Sequence, residues 1–504
     1  MRLILTTFLC FFVFTCFGQG KQNADTLRKA YDADMKSVSN FFSANYFPNR
    51  KNIYSLRESL FLKKIDSLKQ PFLEISKKYS LAFQSVDKNF IPNEERDILY
   101  FFDRMIIDYP YYHENYTGNK IKLSKSIQKK LNIHLKDFNK PTLLSSKDFK
   151  DYSQAFLRHQ STVELEKEKY KKSDNKRLDA YLNIIPQYFT NRECKEFWQY
   201  HYLFAHLDNF GSKNTGNAVK SFLSTCKNTN YTKVIDSVYE ESNNSYKGHI
   251  IKTYKTVSGF NLDLHIFLPD TSFQNTKRPT IVYFHGGSWT EGTPEWDFYN
   301  CMNYAKKGWV AVAVEYRIGD RYETTPFEAV KDAKSAIRWV RMNAELYNID
   351  TARIVASGNS AGGHLVLTTA MADEINEQTD NLNYSSSPNL LLINSGVFNL
   401  KWDEGTAWIS KNLTDKNFVQ KISPQHLLRK GLPPMLIIHG TNDQSVDYLS
   451  TKLFADEMKK FGNDFEFQTL EGAHHYIWYD RRFSGKVAEI RKEFLKKNIS
   501  IYHK

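Results

Sequence analysis

Between residues 246 and 504, short and nearly continuous apolar runs alternate with helical segments. The runs are Ile281–Phe284, Val310–Val314, Ile354–Ala356, Leu390–Ile393 and Met435–Ile438. A strand reads this way when both its faces are buried, because helices cover each side of a parallel sheet. One intervening helix is expected over Pro326 to Tyr347, with Ala329, Ala333, Ala336, Ile337 and Val340 on one face. Upstream, Ile250–Tyr254 precedes Gly259, and Leu262–Leu268 alternates apolar and polar residues up to Pro269. That pattern predicts an antiparallel hairpin entering the sheet. The expected fold is α/β, a doubly wound and mostly parallel sheet.

The first half of the chain is different. From about Asp25 to Tyr239, apolar residues recur at three- and four-residue steps and glycine is scarce. This predicts a mostly α-helical domain over 25–240, ahead of a catalytic domain over 246–504. A chain of 504 residues is too long for one core, so at least two domains are expected. At the start, Arg2 leads into the apolar stretch Leu3–Phe17, closed by Gly18. This is the pattern of a signal peptide over 1–18, cut after Gly18, and predicts a secreted or periplasmic protein. The run is shorter than the roughly 20 residues that span a bilayer, so no transmembrane span is expected in the mature chain. A lipoprotein route through Cys16 is the alternative, against which Phe14-Thr15 is a poor lipobox.

Three cysteines lie beyond the leader: Cys194, Cys226 and Cys301. A bridge between Cys194 and Cys226 would suit an oxidising compartment, and Cys301 is expected as an inert thiol in a buried helix. The net charge of +13 comes from lysines scattered among acidic residues rather than one basic run. With no zinc-finger spacing and no RNA-binding string, no nucleic-acid partner is expected. No metal-ligand spacing is present, and neither metal nor cofactor is expected.

Four motifs carry chemistry. Gly358-Asn359-Ser360-Ala361-Gly362 stands between the Ile354–Ala356 strand and the helical run Leu365-Val366-Leu367. A serine on so tight a strand–turn–helix bend needs small neighbours, and its hydroxyl is held out near the positive end of the helix. His285-Gly286-Gly287-Ser288-Trp289 closes the Ile281–Phe284 strand. The N–H groups of Gly286 and Gly287, with that of Ala361, can form an oxyanion hole, each such donor being worth about 3–4 kcal/mol in a transition state. His285 is expected to hold this loop rather than act as a base. His439-Gly440-Thr441-Asn442-Asp443 again follows a strand, and its carboxylate can fix a histidine tautomer. Glu471-Gly472-Ala473-His474-His475 supplies that histidine, as His474 or His475. The order Ser, Asp, His along the chain is that of nucleophile-elbow hydrolases. Among other polar residues, His364, Asp332 and Arg317 are expected to be structural. Trp289, Trp296 and Trp478 are expected at a pocket wall, with sugar or aromatic-acyl stacking as the alternative.

With these motifs in place, residues 246–504 resemble α/β-hydrolases of the hormone-sensitive-lipase and acetyl-xylan/feruloyl-esterase type. The strings that carry the resemblance are HGGSW, VEYRIG, FEAVKDAKSAIRWVRMNAELYNIDTARIVASGNSAGGHL, LPPMLIIHGTNDQSV and EGAHH. It implies Ser360 as nucleophile, Asp443 as acid and His475 as base, with His474 as the alternative base and Gly286 and Gly287 in the oxyanion hole. Two positions depart from the usual pattern: Ser288 replaces a third glycine, and Asn359 replaces the glycine before the serine. Neither removes a backbone donor. The reaction expected is cleavage of a carboxylic ester, on a small molecule or a carbohydrate, with acetyl or feruloyl groups on plant polysaccharide among the expected acyl groups. The alternatives are a prolyl-oligopeptidase-like peptidase, which HGGSW and the lack of upstream propeller repeats oppose, and a catalytically silent binding protein, which the complete Ser-Asp-His set opposes.

Overall fold

The structure is a computed structural model that describes residues 24–170, 173–270, 277–400 and 416–499. The leader expected over 1–18 lies outside these residues. By packing, the chain divides into two compact units, Met1–Gln160 and Ser161–Lys504.

The described part of the first unit is helical, with long helices at Ala24–Tyr46, Glu58–Gln84 and Phe90–Ile107. Its interior is aromatic. Tyr31 meets Phe90 edge-on at 5.1 Å, and Phe61 stacks on Tyr109 at 4.1 Å. Buried polar groups also pair within it, as in His134 with Asp103 Oδ2 at 2.8 Å. Among the described residues, no helix is long and apolar enough to cross a membrane.

The second unit holds an eight-stranded sheet: β1 (Ile250–Val257), β2 (Phe260–Phe267), β3 (Arg278–Phe284), β4 (Val310–Val314), β5 (Ile349–Asn359), β6 (Leu390–Asn394), β7 (Met435–Gly440) and β8 (Phe465–Leu470). Their spatial order is β1-β2-β4-β3-β5-β6-β7-β8. The β1–β2 and β2–β4 pairs are antiparallel, and all the others are parallel. The predicted hairpin is present, turning through Ser258 and Gly259, both at positive φ. Alternate residues of each central strand enter separate cores. Val282, Ile354, Ala356, Leu391 and Ile437 join one. Ile281, Val355, Leu392, Leu436 and Ile438 join the other. This is why these strands read as unbroken apolar runs instead of alternating ones.

The helix beginning at Pro326 is capped by Thr325 and Glu328 and buries all five residues of its predicted face. It stops at Met342, short of the expected Tyr347. Asn348 then takes a left-handed conformation ahead of β5. The buried Asp332 of this helix is paired with two cations. Arg317 forks onto Asp332 at 2.7 and 2.8 Å, and the Lys255 ammonium reaches the same carboxylate at 2.6 Å. The structural role expected for Arg317 and Asp332 is therefore met by direct pairing.

Two points differ from the sequence reading. Pattern alone draws a boundary near residue 240, yet the helices Lys176–Tyr188, Arg192–Phe210, Gly216–Thr225 and Thr229–Ser245 fall in the same compact unit as the sheet. Helical periodicity reports that a stripe is buried, not which body buries it. The cysteine bridge also fails to form: Cys194, Cys226 and Cys301 are all free, buried thiols. Cys226 Sγ turns instead toward the Asn228 carbonyl at 3.7 Å, and burial pushes the Cys194 thiol up to about 11.

Candidate active site

Every candidate residue sits at the carboxyl end of a parallel strand, where ligands bind in open α/β sheets. Ser360 follows β5 directly and adopts φ 53° and ψ −122°. A non-glycine residue rarely occupies this region, and such strain clusters at functional sites. The bend is cramped on both sides. A Cβ placed on Gly362 would lie 1.9 Å from the Phe284 carbonyl oxygen, and one on Gly358 would lie 2.4 Å from the Gly362 backbone. Only glycine lets the first turn of the helix Ala361–Met371 approach β3 so closely. Asn359, the residue that departs from the family pattern, uses its side chain: its Oδ1 accepts from Asn394 Nδ2 at 2.9 Å and ties the bend to β6.

The loop after β3 lies against this serine. A Cβ on Gly286 would stand 3.5 Å from Ser360 Cβ. Gly287, Ser288 and Trp289 all have positive φ, which folds the loop back on itself. Ala361 opens its helix, so its N–H has no acceptor in a preceding turn. The three expected oxyanion donors thus belong to two segments packed together around Ser360. His285 stacks on Tyr316 at 4.2 Å, and its Nδ1 meets the Gly286 carbonyl at 2.8 Å. Burial pushes it down to about 4, so it stays neutral near pH 7.

Asp443 and His475 are in direct contact. The imidazole Nδ1–H donates to Asp443 Oδ2 at 2.8 Å. The other carboxylate oxygen accepts from the backbone N–H groups of Ser445 and Val446 at 2.8 and 2.9 Å. A second histidine, His439, reaches Oδ2 with Nε2 at 3.0 Å. That nitrogen also faces the Val446 carbonyl at 3.2 Å, so it must carry the proton. The Thr451 hydroxyl then donates to His439 Nδ1, 2.8 Å away. Burial would raise the Asp443 carboxyl, but the hydrogen bonds from His439, His475 and the Val446 amide outweigh it and hold the group well below the usual carboxylate range.

The nucleophile and the base are held by neighbouring residues at the end of β6. The Asn394 carbonyl accepts from Ser360 N–H at 3.1 Å, and the Ser395 hydroxyl donates to the His475 carbonyl at 3.0 Å. No hydrogen bond joins the Ser360 hydroxyl to the imidazole among the described residues; such contacts often tighten only when substrate binds. His474 is exposed and its Nδ1 sits 3.1 Å from the Asn442 carbonyl.

The remaining candidates fall beside this set. His364 is fully buried, bonded through Nε2 to the Ile422 carbonyl at 2.6 Å, and burial lowers it to about 4. Trp289 packs edge-on against it at 5.0 Å. Trp478 lies 5.9 Å from the His475 ring, while Trp296 donates to the Asp208 carbonyl at 3.0 Å. Sequence reasoning missed His439, Asn394 and Ser395. His439 was visible as the histidine four residues before the acid. Asn394 and Ser395 carry no motif and owe their place to strand order alone.

A serine on the strained exit of a central parallel strand, with acid and histidine on later strand ends, defines an α/β-hydrolase. Residues 264–458 match the BD-FAE family model. A probable isoprenylcysteine alpha-carbonyl methylesterase of Arabidopsis thaliana is 26% identical over 236 residues, covering 42% of this chain and 48% of the plant protein. Esterase LipC of Mycobacterium tuberculosis is 22% identical over 215 residues, covering 39% and 52%. The chain spans about half the length of these curated relatives. Among solved structures, propionate-bound esterase Est2 of Thermogutta terrifontis is 36% identical, with a TM-score of 0.48, covering 51% of this chain and 97% of Est2.

Proposed function

We propose that the protein is a serine carboxylesterase with Ser360 as nucleophile, His475 as base and Asp443 as its orienting acid. The observation that carries this reading is the 2.8 Å bond between His475 Nδ1 and Asp443 Oδ2, on a loop anchored by the residue next to the one that anchors Ser360. With Nδ1–H engaged, Nε2 is the basic nitrogen. It takes the Ser360 proton as the oxygen attacks the ester carbonyl. The N–H groups of Gly286, Gly287 and Ala361 receive the negative charge that develops on the carbonyl oxygen. His475 returns the proton to the leaving alcohol, and water, activated in the same way, frees the acid from Ser360.

On sequence resemblance, the substrates proposed first are acetyl and feruloyl esters of plant polysaccharide, reached after export through the leader at 1–18. The methylesterase relatives add methyl esters to the panel. Purified protein should hydrolyse short p-nitrophenyl esters and leave a dipeptide naphthylamide untouched. The reverse preference would favour the peptidase reading, and inactivity on both would favour a binding protein.

Asp443→Asn should lower kcat by on the order of 10⁴-fold with little change in KM. The amide cannot accept from both histidines and both backbone N–H groups as the carboxylate does, so the His475 tautomer is lost. A rate within threefold of wild type, measured on p-nitrophenyl acetate, would remove Asp443 from the mechanism.

A further inference from the structure

The helical segment 176–245 has no motif, yet the end of its helix Arg192–Phe210 meets the segment that follows Gly286 and Gly287. Where the helix Arg192–Phe210 ends, three successive carbonyls are each taken by the hydrolase body. Asp208 accepts from Trp296 Nε1 at 3.0 Å, Asn209 from Gly292 N–H at 2.8 Å, and Phe210 from Arg321 Nη2 at 2.8 Å. Gly292 is pressed against the oxyanion loop. A Cβ there would fall 2.3 Å from His285 Nδ1 and 2.7 Å from the Gly286 oxygen. Gly286 in turn borders Ser360.

Glu295 closes the same junction from the other side. Its Oε1 accepts from Ser212 N–H at 3.2 Å and from the Tyr246 hydroxyl at 2.6 Å. Its Oε2 accepts from the Ser242 hydroxyl at 2.5 Å. Gly211 has positive φ, and a Cβ there would lie 2.1 Å from Glu295 Oε1, so the helix end and this carboxylate are fitted to each other.

We infer that the helical arm 176–245 is part of the catalytic apparatus, holding the oxyanion loop in register with Ser360 through Asn209 and Glu295, and that Glu295 is a positioning residue for Gly286 and Gly287. This rests on the esterase reading above. Glu295 touches no reacting atom; it acts through the backbone that runs from Gly287 past Gly292 to Glu295 itself. Misplacing a catalytic group by about 1 Å can cost on the order of 10²-fold in rate.

The test uses full-length Glu295→Ala, Glu295→Gln and Tyr246→Phe, with p-nitrophenyl butyrate as substrate. Glu295→Ala should lower kcat by about 10²-fold with KM within about threefold of wild type. Glu295→Gln should stay within about threefold, because the amide oxygen still accepts from Ser212 and Tyr246 and its NH₂ can donate to the Ser242 hydroxyl. Tyr246→Phe, which removes one donor only, should lower kcat several-fold and serves if Glu295→Ala does not fold. Amide exchange of the peptide 285–292 should quicken in Glu295→Ala and Tyr246→Phe but not in Glu295→Gln. Unchanged kcat and exchange in Glu295→Ala, equal losses in the Ala and Gln variants, or wild-type kcat in Tyr246→Phe would each overturn the inference. If wild type itself lacks esterase activity, the functional reading fails, and the exchange pattern still decides whether the arm holds the loop.

Discussion

Ser360→Ala is expected to reduce kcat on p-nitrophenyl acetate by on the order of 10⁶-fold and to abolish covalent labelling by a fluorophosphonate. The argument begins with backbone geometry. Ser360 pays for φ 53° and ψ −122° in local strain, and the surrounding glycines and the Asn394 carbonyl keep it there. Nothing about that bend needs a hydroxyl, since alanine carries the same Cβ. The variant should therefore fold like wild type, and the loss should be chemical. Mass spectrometry of the labelled wild-type protein checks the site: the adduct should map to the peptide containing Ser360. Labelling at another serine, or residual turnover of the variant above about one-hundredth of wild type, would contradict the assignment.

His475→Ala should cause a loss of similar size, while His474→Ala should leave kcat within about threefold. The two side chains are adjacent but differ in surroundings. His475 is buried, with Nδ1 on Asp443. His474 is exposed and faces the Asn442 backbone. Removing the buried imidazole leaves no base for Ser360. It also takes one of four donors from a carboxylate that the other three still hold, so the loop should persist. Kinetics of both variants on one ester, with thermal melting as a folding control, decide between them. A large loss confined to His474→Ala would transfer the role of base.

Much of the sheet is legible without coordinates because parallel strands covered by helices must be apolar on both faces, a demand that few other segments satisfy. Ser360 is legible because the bend around it excludes any side chain larger than its neighbours carry. The hydrogen bond that selects His475 over His474 is not. Two consecutive histidines after Gly472-Ala473 offer the same chemistry, and only the path of the loop beyond β8, with Ser395 holding the His475 carbonyl, decides which one turns inward. The same is true of His439, whose role depends on Asp443 folding back over it through the Ser445 and Val446 amides.

By itself, the sequence determined the alternation of strand and helix, the small residues at the elbow, and the chain order of nucleophile, acid and base. These are local requirements, each satisfied by a few neighbouring residues. Tertiary structure alone decided the rest. Three cysteines stay unbridged, Cys226 packing in one buried cluster and Cys301 in another. The helices 176–245 fall in the sheet's unit instead of the N-terminal one, and Asn209 and Ser212 meet Gly292 and Glu295 in the segment after β3. A contact between Ser212 and Glu295 spans 83 residues, and no local pattern can announce a pairing whose partners are chosen by the path of the chain.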